Sequence, residues 1–515
     1  MKTWFGAVIV FLIVFATQQV NSARCFRYPN PRERNFVVEV NCSQESEKSG
    51  ILSTSLSYHY SHSKIHHVSK DKKKPLHFFS SSPHYKRSTN SSSNKNYFIF
   101  KVACHSDAAL CMKMFSAFED AGNIFSTILD LNAPIVVNVT IFNFCADESP
   151  CDPEDKVNPG VGYSSLLILL NDDDNVERFY PQSLVKQFNY TTHPRYDDAD
   201  IYAQFNANPK YWFRTDHTRI NDDQIDFLEV VLHEVFHGLG FDTSWGTYSY
   251  AGEKNFVLPA PIAKEDVEWT NSENYNPSIN VTWSGFREFV FDRYLVQTED
   301  FTYLTNFTTK LNQYFVEHGL VHASYNGFID EFKKSDQYAI AENMMKLFTK
   351  PGSVGFMTWD SKGVNDSIIL ETEVSPFNNE YSIRHVDYRD YTDTADFLMR
   401  YLITLGEDLG SKIICGKNKT MCGDNNVTYA DNNVTCGDNY YYGLLKNAIG
   451  PELRKFLETV GYSTKFRKST IKIPQMPSPI PPMNVLTSTA IFNTPELTTL
   501  LIAHIVTICL FTIRG

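Results

Sequence analysis

The nonapeptide HEVFHGLGF, residues 233–241, constrains this chain more than any other segment. Histidines four residues apart share one face of a helix, about one turn from each other. The run from Ile225 to Leu232 carries apolar residues at 227, 228, 231 and 232, and the pattern continues at 235 and 239. That spacing predicts a helix with one buried side, capped by Asp222 or Asp223 and stopped by Gly238 and Gly240. Neutral imidazoles at 233 and 237 can both reach one zinc ion, at about 2.0–2.1 Å. Glu234 stands where its carboxylate can take a proton from a water that the metal has made acidic. The chemistry implied is hydrolysis, most often of a peptide bond. A catalytic zinc keeps three protein ligands and one open position, so the two histidines are an incomplete set.

The segment His233-Glu-x-x-His237-x-x-Gly240 resembles the metzincin signature HExxHxxGxxH and departs from it at one position, where Thr243 replaces the third histidine. Asp242 lies one place short and would have to twist to reach the ion. Among later histidines, His504 sits in an apolar tail, and His318 and His322 form an i,i+4 pair with no adjacent carboxylate. His385 is followed fourteen residues later by Met399 in the sequence DFLM. Metzincins place a methionine in a tight turn beneath the metal soon after the third histidine. The stretch 375–402 therefore looks like a third-ligand segment with its methionine turn, postponed by an insertion. Such postponement is a property of the leishmanolysin-like branch, although 148 residues after His237 exceeds what that branch leads one to expect. The resemblance implies His233, His237 and His385 as zinc ligands, Glu234 as general base and Met399 as a structural support.

The ends of the chain speak to location. Lys2 precedes an apolar core from Trp4 to Thr17, and Val20-Asn21-Ser22 reads as a secretory cleavage site. A second apolar run, Leu497 to Ile513, follows the small residues Ser488-Thr489-Ala490 and resembles a GPI attachment signal with Ser488 as the candidate residue. The alternative is one short membrane-spanning helix. Ten N-x-[ST] sequons, from Asn41 to Asn433, fit a glycosylated surface protein. The cysteines fall into neighbouring groups, which suggests Cys25/Cys42, Cys104/Cys111 and Cys145/Cys151 pairs and a trio at 415, 422 and 436. The net charge of −12, with no basic stripe, argues against nucleic-acid binding.

These readings order the chain as a signal peptide (1–22), an accessory or pro-segment (23–95), an N-terminal catalytic subdomain (96–242), an insertion (243–380), a C-terminal catalytic subdomain (381–463), a Pro/Ser-rich stalk (464–490) and a GPI signal or membrane tail (491–515). Residues 115–129, 180–188 and 450–462 read as helices, 134–144 and 166–170 as strands, and 200–206 as an edge strand that would bind an extended substrate. The expected class is α+β: a zincin/metzincin-like domain with a twisted mixed sheet, an active-site helix, a mostly helical C-terminal subdomain and a large inserted subdomain. The expected function is an extracellular zinc endopeptidase acting on protein or peptide substrates and held at the membrane by its C-terminus. Two other readings stand beside it: an inactive surface adhesin, and a zinc hydrolase of a non-peptide surface component.

Overall fold

In the computed structural model the first sheet grows from sequence of period two. In Phe98–Cys104 (β4) and Ile135–Phe142 (β5), buried and half-buried residues alternate along the whole strand, as expected when one face meets a core. These two strands and Ile201–Asn206 (β9) run parallel. Leu76–Phe79 (β3) and Gly160–Ser164 (β6) flank them antiparallel, giving the order β3-β4-β5-β9-β6. Helix Ala108–Ile128 (α1), capped by Asp107 and tied at its first turn to the end of β4 by the Cys104–Cys111 disulfide, packs on β4 and on helix Phe227–Gly238 (α3). Phe118 meets Phe205 and Phe227 edge to face at 5.3 and 5.7 Å, joining both helices to the sheet.

The described residues are 23–28, 36–40, 42, 76–79, 97–145, 156–247, 255–264, 280–363, 366–415, 429–430, 433–434 and 447–476. All lie in one compact unit spanning 22–477. The expected signal peptide, most of the Lys- and His-rich tract after residue 43, Cys151, Cys422, Cys436, the part of the expected stalk beyond 476 and the C-terminal tail fall outside them. Among the described residues no helix is long and apolar enough to cross a membrane.

The second sheet differs from the expected organisation. Arg24–Arg27 (β1), Val37–Val40 (β2), Leu167–Asn171 (β7), Glu177–Pro181 (β8), Ala260–Lys264 (β12) and Val281–Phe289 (β13) pair in the order β12-β2-β1-β7-β8-β13, and β12 pairs with β13 to close a barrel. Val321–Ala323 (β15) extends it from β13. Residues 24–40, read from sequence as an accessory or removable segment, thus supply two barrel strands, tied by the Cys25–Cys42 disulfide. Residues 243–380 do not stand apart either, because their strands complete a barrel begun on both sides of the first sheet. Phe26 against Phe179 (4.8 Å) and Phe36 against Trp283 (5.3 Å) fill the shared core with rings from all three chain regions. The buried Arg178 bonds Asp172 at 2.7 Å and Glu288 at 3.0 Å, pinning the β7–β8 hairpin to β13. Helices Thr305–His318 (α4), Tyr325–Phe332 (α5) and Tyr338–Phe348 (α6) follow; Phe315 of α4 meets Phe286 of β13 edge to face, and Phe328 of α5 stacks on Trp283 of the same strand.

Three further corrections concern local structure. The strand 201–206 is interior, between β5 and β6, and the edge is β6, whose glycine-bearing sequence GVGYS hides its strand character. The helix expected from 180 to 188 shrinks to Gln182–Val185 (α2), because Tyr180 and Pro181 belong to β8. Leu167–Asn171 is a strand, but of the barrel.

Candidate metal centre

The residues of α3 are all buried. Its cap is Asp226, not Asp222 or Asp223. Asp226 leaves the short strand Ile225–Asp226 (β11), paired with Tyr211–Trp212 (β10), and its carboxylate accepts the Leu228 N–H at 2.9 Å. The same carboxylate accepts the N–H of Leu409, at the start of helix Leu409–Cys415 (α8), at 2.8 Å. Glu229, one turn in, pairs with Lys412 of α8 at 2.7 Å. The helix ends at Gly238, and Gly240 turns the chain at φ 108° against Pro181.

Chain reversal brings a distant segment to this helix. Nε2 of His233 lies 3.2 Å from Nε2 of both His237 and His385, and the His237–His385 separation is 3.3 Å. All three side chains are buried. Each Nδ1 faces a main-chain oxygen: His233 that of Leu398 at 2.8 Å, His237 that of Phe241 at 2.7 Å, and His385 that of Tyr381 at 3.1 Å. A carbonyl oxygen can only accept, so each Nδ1 carries the ring proton and each Nε2 lone pair points into one shared space. Burial pushes His233 down to about 4. Burial, joined by the nearby Arg384 guanidinium, pushes His237 well below its ordinary value. Neutral imidazoles follow at physiological pH, as metal ligation requires.

These three atoms fit a tetrahedral cation. Points about 3.2 Å apart lie on a sphere of about 2.0–2.1 Å radius, the zinc–imidazole length, with angles of roughly 100–110° at its centre. Among the described residues this is the group of His, Cys, Asp and Glu side chains able to hold a metal ion. Glu234 is buried beside it, and a Cβ on Gly160 of the edge strand would come within 3.1 Å of its Cγ.

Met399 is fully buried at the end of the 3-10 turn Phe397–Met399. That turn hands the Leu398 oxygen to His233 and the Met399 oxygen to the N–H of Val386, next to His385. The other candidates are elsewhere. Asp242 pairs with Arg384 at 3.4 Å, Thr243 donates to Asp292, His318 caps its own helix through Tyr314, and His322 lies on β15 beside Thr282. Sequence reasoning missed the three orienting carbonyls, which no side-chain pattern can display. It also missed Glu371. That residue's carboxylate accepts the N–H groups of Glu373 and Tyr388, while its main chain bonds Ile383 and His385, bracketing the ligand loop.

A family model described as SPBPB7E8-like matches residues 52–496. A Schizosaccharomyces pombe protein described as uncharacterized is 28% identical over 399 residues, which is 73% of this chain. The match spans 64% of that relative's own length. No solved structure matches the chain.

Proposed function

The chain belongs to the SPBPB7E8-like family, and we propose that it is a zinc-dependent endopeptidase of metzincin-like architecture. His233, His237 and His385 would hold the metal. The observation that carries this reading is the convergence of three Nε2 lone pairs in a buried space, each ring oriented by a main-chain oxygen, beside a buried glutamate. Lone pairs so arranged repel one another unless a cation lies among them. Bound there, zinc supplies Lewis acidity: it makes water a proton donor near neutral pH and draws electron density from an amide carbonyl.

The chain's own groups do the rest. The Glu234 carboxylate takes the proton of the attacking water and returns it to the leaving amine nitrogen. The carbonyls of Leu398, Phe241 and Tyr381 hold the imidazoles in one tautomer and raise their basicity. β6 ends its sheet and packs along α3, so an extended peptide added to its outer edge would run past Glu234. This edge favours a peptide over a glycan. The proposal includes export and display at the outer face of a membrane through a C-terminal GPI anchor or tail. The disulfides Cys25–Cys42 and Cys104–Cys111, which persist in oxidising compartments, support that location.

Replacing Glu234 by Gln tests the mechanism. The variant should keep stoichiometric zinc and lose roughly 10²–10⁴ in peptide hydrolysis, the usual share of a general base. Undiminished proteolysis with zinc retained removes Glu234 from the reaction, and absence of proteolysis in the zinc-loaded wild type favours the adhesin reading.

A further inference from the structure

We propose that the Asp242–Arg384 ion pair is a positioning device that sets the place of the third ligand and, with it, the metal affinity. The inference rests on the zinc reading above. Asp242 follows Phe241, whose carbonyl holds His237, and Arg384 immediately precedes His385. Their side chains are 11% and 7% exposed, and Arg384 Nη2 lies 3.4 Å from Asp242 Oδ1. The pair therefore joins the two ligand-bearing segments at the residues next to the site, across the long intervening chain.

A second contact runs alongside. The Asn379 Oδ1 accepts the N–H of Thr247 at 2.7 Å and its hydroxyl at 3.0 Å, while Asn379 Nδ2 donates to the Thr247 carbonyl at 3.1 Å. Residues 242–247 and 379–384 are thus fastened at both ends. The His385 loop is held against a local preference, because Ile383 sits at φ 52°. A β-branched residue avoids that left-handed region and stays there only when its surroundings impose it. In a chain with histidines at 233, 237 and 243, the helix and the turn after it would fix the third ligand locally. With Thr243 at that position, the same precision has to come from a tertiary clamp. Thr243 instead donates its hydroxyl to the buried Asp292 at 2.5 Å, anchoring the outgoing chain to the barrel side.

The experiment is a double-mutant cycle in zinc affinity, measured on the full chain by competition with a chromophoric chelator at fixed pH. Asp242→Asn, Arg384→Gln, the double variant and Asn379→Ala are compared. Positioning predicts that each single change weakens zinc roughly 10–100-fold, the range seen when groups behind metal ligands are removed. The double variant should be no weaker than the singles, because the clamp is already open. Asn379→Ala should act in the same direction although it changes no charge, and it keeps the test available if a charge variant fails to fold. Cobalt substitution adds a readout: the intense visible bands of a tetrahedral site should weaken in the singles.

A charge effect alone moves the singles oppositely, with Asp242→Asn weakening a cation and Arg384→Gln tightening it. That pattern, or wild-type affinity in all three singles, overturns the proposal. A wild-type chain that binds no stoichiometric zinc instead overturns the zinc reading, and with it the need for a clamp.

Discussion

Gly162 offers the sharpest test of how closely the edge strand is pressed to the proposed catalytic helix. A Cβ added there would stand 2.6 Å from the carbonyl carbon of Glu234 and 3.0 Å from its Cα. Carbon atoms rest at about 3.5–4.0 Å, so the shortfall is about 1 Å. Neither side can yield through a rotamer. The obstacle is helix backbone, and Gly162 is held in register opposite Ala203 within five consecutive β6–β9 pairs. Gly162→Ala must therefore separate strand and helix at Glu234 itself. Overpacking of this kind costs about 1–3 kcal/mol, and a displacement of about 1 Å at a reacting group costs on the order of 10²-fold in rate. Gly160→Ala is the matched control. Its Cβ would meet the Gln204 main-chain oxygen, Glu234 Cγ and Phe205 Cδ1 at 3.1–3.2 Å, a crowding that shifts of a few tenths of an ångström relieve. Urea unfolding and hydrolysis of a fluorogenic peptide pool, measured on both variants, should show a large loss for 162 and a small one for 160. A Gly162→Ala protein with wild-type unfolding midpoint and rate would refute the close approach.

Three other outcomes are expected. His385→Ala should release zinc from the isolated protein by metal analysis; retention at wild-type affinity would exclude His385 as the third ligand. Burial, against the pull of the Leu409 N–H, pushes the Asp226 carboxyl up to about 7. A raised folded value means its contribution is present in acid and is lost as pH rises from about 4 through about 7. Asp226→Asn keeps a cap acceptor without the charge, so its stability relative to wild type should climb across that window in denaturant titrations; parallel pH curves would exclude the effect. Replacing both Cys25 and Cys42 by Ser opens a 17-residue link and should lower stability by about 3 kcal/mol, measured by unfolding with and without reductant. A null result there would mean that β1 and β2 are held by pairing alone.

Much of the helix and part of the site could be read from local pattern. Apolar spacing from Phe227 to Leu239 marks a buried helix, and four-residue spacing aligns His233 with His237. The strand at 135–142 announces itself by alternation. The closing helix Pro451–Val460 (α9) has proline at its first turn, as helix entry favours. The barrel left no such mark. β1 is four residues long and β12 contains proline. Both become strands only through partners from other chain regions, and pairing at that range leaves no periodic signal in one segment. β7 was legible as an apolar strand, but not as a barrel strand. The edge strand was hidden for the opposite reason: its glycines look like a loop and exist because α3 lies against it.

The residue types alone determine which chemistry is available: two imidazoles on one helix face, a carboxylate between them, and a missing third donor at Thr243. They also single out His385 as a candidate, because so few histidines follow. That Nε2 of His385 comes within 3.3 Å of the helix pair was decided only in three dimensions. The reason is physical. Spacing along a helix is set by its own hydrogen bonds, whereas the approach of residue 385 depends on a closed barrel, the bracket at Glu371 and a buried ion pair. Those are interactions between segments that carry no trace of one another in sequence.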